Sequence, residues 1–165
     1  MIKVIPYAHH DGIPTMRDSE IRTLYDLMER DGTNSLVFFD GHINNANDFC
    51  NFMKSSENIL FVAFDDDDPV AFGWLSNFKY KTAQAHFCLF SKVWGERSVE
   101  IGKALVKNAL ATTGLDMLIG YVPGFNPVAT KFAVKCGAVK LGKLPCGSVD
   151  KNGNSYSTTI VYYTR

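Results

Sequence analysis

The sequence has no excess of charge of either sign. Lys plus Arg number 17 and Asp plus Glu number 17, so the formal net charge is zero. A neutral surface excludes nucleic-acid binding by bulk electrostatics, and no nucleic-acid partner is expected. No apolar run approaches the roughly 20 residues that a bilayer-spanning helix needs, so no membrane partner is expected either. Residues 1–6 lack the long apolar stretch of a secretory leader, which makes a cytoplasmic location the default expectation. Cysteines are few: Cys50, Cys88, Cys136 and Cys146, with no pair at the C-x-x-C spacing of a zinc site. Reduced, mostly structural thiols and no metal are expected. His9-His10-Asp11 has no further ligand at motif spacing, and the Asp65–Asp68 run lacks the alternating ligands and distant Glu of a calcium loop. What is present is 165 residues, 46% hydrophobic and 21% charged. That suffices for one core, so residues 1–165 read as a single folded domain.

The elements follow from periodicity and punctuation. Residues 2–7 read as a strand. Residues 18–30 carry Ile21, Leu24, Leu27 and Met28 at helical spacing, with Asp18 or Ser19 as cap and Gly32 beyond the end. Residues 44–54 form a weaker helix. Three strands follow, at 59–64, 70–78 and 84–90, the first two joined by the Asp-rich turn. Residues 98–112 are the clearest helix, with Ile101, Leu105 and Ala109 repeating every four. A strand at 115–122 leads to a helix at 126–136, where Asn126 caps, Pro127 starts and Gly137 stops it. Strands at 138–144 and 156–163 close the chain around an Asp150–Gly153 turn.

Two local signatures carry a family resemblance. One is the strand Ala85-His86-Phe87-Cys88-Leu89-Phe90, the loop Ser91-Lys92-Val93-Trp94-Gly95-Glu96-Arg97, and a helix with Gly102-Lys103-Ala104-Leu105-Val106. The other is Gly120-Tyr121-Val122-Pro123, then Asn126-Pro127-Val128-Ala129 and Phe132 to Gly137. Together with the element order they resemble the GNAT superfamily of N-acetyltransferases. The resemblance implies a mixed α/β domain whose mostly antiparallel sheet has one splayed parallel pair. It also implies acetyl-CoA as co-substrate and an amine of a protein or small molecule as acceptor. The layout faintly resembles small GNAT-like proteins of tailed phages and prophages too, so a non-catalytic binding or structural protein of this fold is the alternative.

The resemblance places the acetyl-CoA diphosphate at a helix N-terminus, where unpaired N–H groups and the helix dipole attract anions. Two registers stay open. One, on Gly102, runs Arg97-Ser98-Val99-Glu100-Ile101-Gly102, with Glu100 replacing a glycine and Lys103 nearby. The other, on Trp94-Gly95-Glu96-Arg97, is similar to the ribosomal-protein acetyltransferase branch, with Arg97 replacing a glycine. A carboxylate about 4 Å from a phosphate costs from ~1 to ~4 kcal/mol, depending on screening. Arg97, Lys92 or Lys103 would offset it. The thioester would meet main-chain groups of Cys88, Leu89 and Phe90, and Asn126 and Phe132 would line the pantetheine arm. Taking the proton from a lysine-like ammonium costs roughly 4–5 kcal/mol at neutral pH, so a general base is useful. Gln84 stands where some members carry a glutamate base. His86, two residues on and on the same strand face, is the candidate base. Ala133 stands where many members carry a tyrosine acid. Tyr156, Tyr162 and Tyr163 would suit a homodimer edge.

Overall fold

Leu60 and Val62 point to one side of a strand and Phe61 and Ala63 to the other, and this period of two splits the core in half. The structure is a computed structural model describing residues 1–165. In chain order its elements are β1 (Ile2–Pro6), β2 (His9–His10), β3 (Ile13–Pro14), α1 (Asp18–Arg30), α2 (Asn34–Val37), α3 (Ala46–Lys54), β4 (Ile59–Asp65), β5 (Asp68–Lys79), β6 (Thr82–Leu89), α4 (Glu96–Thr113), β7 (Met117–Pro123), α5 (Pro127–Lys135), β8 (Val139–Val149) and β9 (Ser155–Thr164). The main sheet runs β1-β4-β5-β6-β7-β9-β8, and β2 and β3 form a separate exposed ribbon.

Every pairing in the main sheet is antiparallel except β6 with β7. That pair holds only from Thr82↔Met117 to Gln84↔Ile119, after which the strands part. The mixed, mostly antiparallel sheet with one splayed parallel pair is therefore the architecture the sequence resemblance implies. One core half lies between the sheet and α4 and α5, built on Ile101, Leu105, Leu118 and Val161. The other lies between α1 and α3 and strands β4, β5 and β6, built on Ile21, Met28, Phe49, Leu60 and Phe72. No helix covers β7, β9 and β8 on that second face, and a cleft opens there.

Local chemistry explains most boundaries. Asn45 caps α3 by accepting from the Asp48 amide at 2.9 Å. Asn126 accepts from the Ala129 amide at 3.2 Å, with Pro127 in the first turn of α5. The cap of α1 is Arg17, not Asp18 or Ser19. Glu20 reaches back to accept the Arg17 amide at 2.7 Å, while Asp18 sits inside the helix and binds Lys54 of α3 at 2.8 Å. α4 starts two residues earlier than its periodicity implies, because Gly95 takes the cap position at φ 103°, ψ −137°, a conformation favouring glycine. The C-terminal tyrosines do not lie on an open strand edge. β8 covers β9 at the sheet edge, Tyr163 is buried and Tyr156 packs on Phe125 inside the molecule.

Candidate functional site

The cleft has a volume of about 890 Å³. Its floor is a row of stacked rings. Phe38 lies on Trp74 at 5.3 Å and 18°, and Trp74 lies on His86 at 4.3 Å and 5°. One wall is the segment after α2. It is strapped across the sheet by the Lys151 amide, which donates to the Phe39 carbonyl at 3.0 Å, and by Phe39 packing on Phe125. The end of α3 supplies Phe52 and the residues up to Asn58. The lining includes two carboxylates, Asp40 and Glu57, and no lysine or arginine. Such a cavity favours a cation with an apolar body.

His86 is half-buried and lines this cleft. Its Nε2 shares a hydrogen bond of 3.0 Å with Ser76 Oγ. Burial, and to a lesser degree the nearby His42, push its pKa down to about 4. It is therefore neutral at pH 7, and as a proton acceptor it is weak. Taking a proton from an amine of pKa ~10.4 would cost about 9 kcal/mol at ~1.36 kcal/mol per unit. His86, expected from the sequence as the base, thus sits in the cleft floor with a pKa lowered by burial, which weakens it for that role. Gln84 is occupied as well, accepting from Asn77 at 2.7 Å.

Beside the cleft floor, β6 and β7 diverge around a smaller cavity of about 130 Å³, lined by Ala85, Phe87, Gly120, Asn126, Ala133 and Tyr163 among others. The Phe90 amide donates to the Val70 carbonyl at 3.0 Å. Strand alternation then commits the main-chain groups of Cys88 and His86, like those of Phe90, to β5. Those of Phe87 and Leu89 face the splay instead. Of the three residues expected to offer main-chain groups there, only Leu89 has the right parity, and Phe87 was missed. The Leu89 carbonyl already accepts from the Trp94 indole at 3.0 Å. Cys88 instead packs in the second core half, its thiol 3.6 Å from Thr33 Oγ1 and pushed by burial up to about 12. Cys50 and Cys136 are also buried, and only Cys146 is exposed. A disulfide-exchange reagent at pH 8 is expected to modify one thiol per native chain and four after denaturation. A second fast native thiol would contradict this packing.

The helix N-terminus that follows separates the two registers. Amides of Glu96 and Arg97 at the start of α4 have no hydrogen-bond partner, and Ser98 donates through both N–H and Oγ to the Gly95 carbonyl. Val99 packs against the first core half. Gly102 lies buried one turn further along, where the amide belongs to the i→i−4 ladder. A Cβ there would meet Cys136 Sγ at 2.5 Å and Phe132 Cζ at 2.6 Å. Gly102 thus serves the contact between α4 and α5, Phe132 packs on Phe87 at 5.8 Å, and Lys103 is exposed. The unpaired amides thus lie directly after Trp94-Gly95 and not at Gly102.

The acidic turn between β4 and β5 has a role that its sequence does not reveal. Arg97 donates to Asp65 at 2.6 Å, Lys92 pairs with Asp68 at 2.8 Å, and the N-terminal amine reaches Asp65 and Asp66 at 3.2 Å each. Arg97 and the N-terminus hold the Asp65 carboxyl down at about 2. Arg97 and Lys92, two of the three cations expected to meet a phosphate, therefore already carry counter-ions, whereas Lys103 has none. Tyr163 contributes the reverse anomaly, a buried hydroxyl without a partner. Burial raises its pKa and keeps it a donor.

No group of three or more His, Cys, Asp or Glu side chains is placed to hold a metal ion. No helix is long and apolar enough to cross a membrane. No family sequence model matches the chain, and no curated protein matches it in sequence. Solved structures do match. Spermidine N-acetyltransferase from Vibrio cholerae, in complex with CoA and spermine, superposes with a TM-score of 0.75 at 14% identity, over 99% of this chain and 95% of that one. Ribosomal-protein-S5-alanine acetyltransferase from Vibrio fischeri gives 0.73 at 12% identity, over 99% and 92%. An acetyltransferase of the GNAT family from Streptococcus pneumoniae gives 0.66 at 14% identity, over 99% and 100%.

Proposed function

We propose, on the premise that this chain has the GNAT fold, that it transfers an acetyl group from acetyl-CoA to a cationic amine with an apolar body. One observation carries the reading. β6 runs from the floor of a cleft without lysine or arginine, at His86, to the loop before α4, where Leu89 meets Trp94 and two amides stand free. A thioester laid along the open edge of β6 would have its carbonyl near the Phe87 and Leu89 amides. Its phosphates would lie at the start of α4, and an amine in the cleft would face it. Holding the two reactants in that geometry is most of the catalytic task.

Titration calorimetry tests the reading. Acetyl-CoA and CoA are expected to bind saturably and ATP weakly. Phosphates must compete with Asp65 for Arg97, so Asp65→Asn is expected to tighten acetyl-CoA about tenfold, or 1.4 kcal/mol. Arg97→Glu is expected to weaken it at least tenfold. An Arg97→Glu affinity equal to wild type would remove the diphosphate from the start of α4.

The paired state of Arg97 and Lys92 and the absence of a tyrosine at Ala133 favour a second reading, a non-catalytic binding protein of the same fold. No heat of binding at millimolar acetyl-CoA would establish it over the first.

A further inference from the structure

We infer that His42, held by Asp40, is the general base that takes the proton from the acceptor ammonium. The inference rests on the acetyl-transfer reading and adds the proton acceptor that His86 cannot be. Both residues line the cleft, together with Phe38, Trp74 and His86 of its floor. Asp40 Oδ1 accepts from His42 Nδ1 at 2.5 Å and from the His42 amide at 3.3 Å, so backbone and ring are fixed to one carboxylate. The ring is also held from its sides. Phe38 meets it edge-on at 5.4 Å and Phe52 at 5.1 Å. Phe38 is buried on Trp74, and the Gly41 amide closes the turn onto the Phe38 carbonyl at 3.0 Å.

A carboxylate on Nδ1 fixes the tautomer in which Nδ1 carries hydrogen and Nε2 carries the lone pair. Nε2 of His42 has no partner within the protein. Asp40, Glu57, His86 and Tyr121 are the other titratable groups lining the cleft. No side-chain hydrogen bond orients Glu57 or Tyr121, Asp40 is committed to His42, and His86 is committed to Ser76. His42 alone combines an open nitrogen with an orienting acid.

The step balances simply. Nε2 takes one proton from R–NH3⁺, and the freed lone pair attacks the thioester carbonyl carbon. The C–N bond forms and the C–S bond breaks. The second nitrogen proton goes to the departing thiolate, giving HS-CoA and R–NH–CO–CH3. The imidazolium returns its proton to water through the open side of the cleft. Asp40 touches no reactant in this scheme and is a positioning residue.

Two measurements on the intact chain test this. Two-bond ¹H–¹⁵N NMR is expected to show His42 as the Nδ1–H tautomer, reverting to Nε2–H in Asp40→Asn. Thiol release from acetyl-CoA with benzylamine and hexylamine is expected to fall at least 100-fold in kcat/KM in His42→Gln. The Asp40→Asn loss should be about tenfold, with its acid limb displaced. Both substitutions lie on exposed loop side chains, where stability changes are within about 0.5 kcal/mol, and acetyl-CoA affinity should stay at the wild-type value. An Nε2–H tautomer in wild type, or a His42→Gln rate within about threefold of wild type, would overturn the assignment. Acetyl-CoA binding without thiol release from either amine would also overturn it and leave the cofactor reading standing. Absence of acetyl-CoA binding would overturn the acetyl-transfer reading itself.

Discussion

Trp74→Ala is expected to destabilise the protein by about 3–5 kcal/mol, the range for truncating a large aromatic in a packed core. Trp74 is only 4% exposed and is the middle ring of the row from Phe38 to His86. It also stacks with Phe72 at 6.2 Å and meets Phe52 edge-on at 6.0 Å. Its removal would open the core half beneath α1 and α3 into the cleft. At about 2–4 °C per kcal/mol for a domain of this size, the melting temperature should drop by roughly 10 °C or more. The conservative Trp74→Phe keeps a ring on both neighbours and should cost clearly less, about 1–2 kcal/mol. Urea unfolding of the three proteins measures both effects. A loss below about 1 kcal/mol in Trp74→Ala would mean that the cleft floor is not a packed extension of the core. Water would then reach His86 freely, and the pH dependence argued below would vanish with it.

What the sequence made legible depended on the range of the interaction. Elements set by neighbouring residues were readable. The continuous apolar run from Ile59 to Phe64 gave a strand, and Asn126 with Pro127 gave the start of α5. Four features escaped because nothing local encodes them. α2 is four residues long and has no buried residue, too short for any periodicity. Arg97 read as a free phosphate ligand, yet its partner Asp65 lies 32 positions away on another turn. The parity of β6, which gives Phe87 and Leu89 to the splay and Cys88 and Phe90 to β5, depends on which neighbour β5 presents. The spacing Asp40-x-His42 is an ordinary turn sequence until Phe38, Phe52 and Trp74 surround it. The parallel pair β6–β7 was likewise expected only through family resemblance, since no composition rule distinguishes it from another hairpin.

The same dependence on tertiary context makes His86 the second large effect. Its folded pKa is about 4, against roughly 6.5 for an unperturbed imidazole. Between those values the unfolded chain binds a proton that the folded chain does not. Stability therefore rises with pH across this window. The contribution is complete above about pH 6.5 and is lost as pH falls toward 4. A shift of that size corresponds to about 3 kcal/mol. The acidic groups act elsewhere. Hydrogen bonds and ion pairs hold the carboxyls of Asp18, Asp31, Asp65 and Asp150 below their ordinary range. Their stabilisation is present above the unfolded carboxylate value and is lost only at lower pH. The two windows separate in a series of urea titrations from pH 7 to pH 3. His86→Gln, whose amide can still meet Ser76 Oγ, should remove most of the slope between pH 6.5 and 4 and leave the steeper acid fall in place. An unchanged slope in that variant would show that the imidazole is hydrated in the folded protein. His86 would then regain its standing as a base beside His42, since burial against Trp74 is the main cause of its lowered pKa.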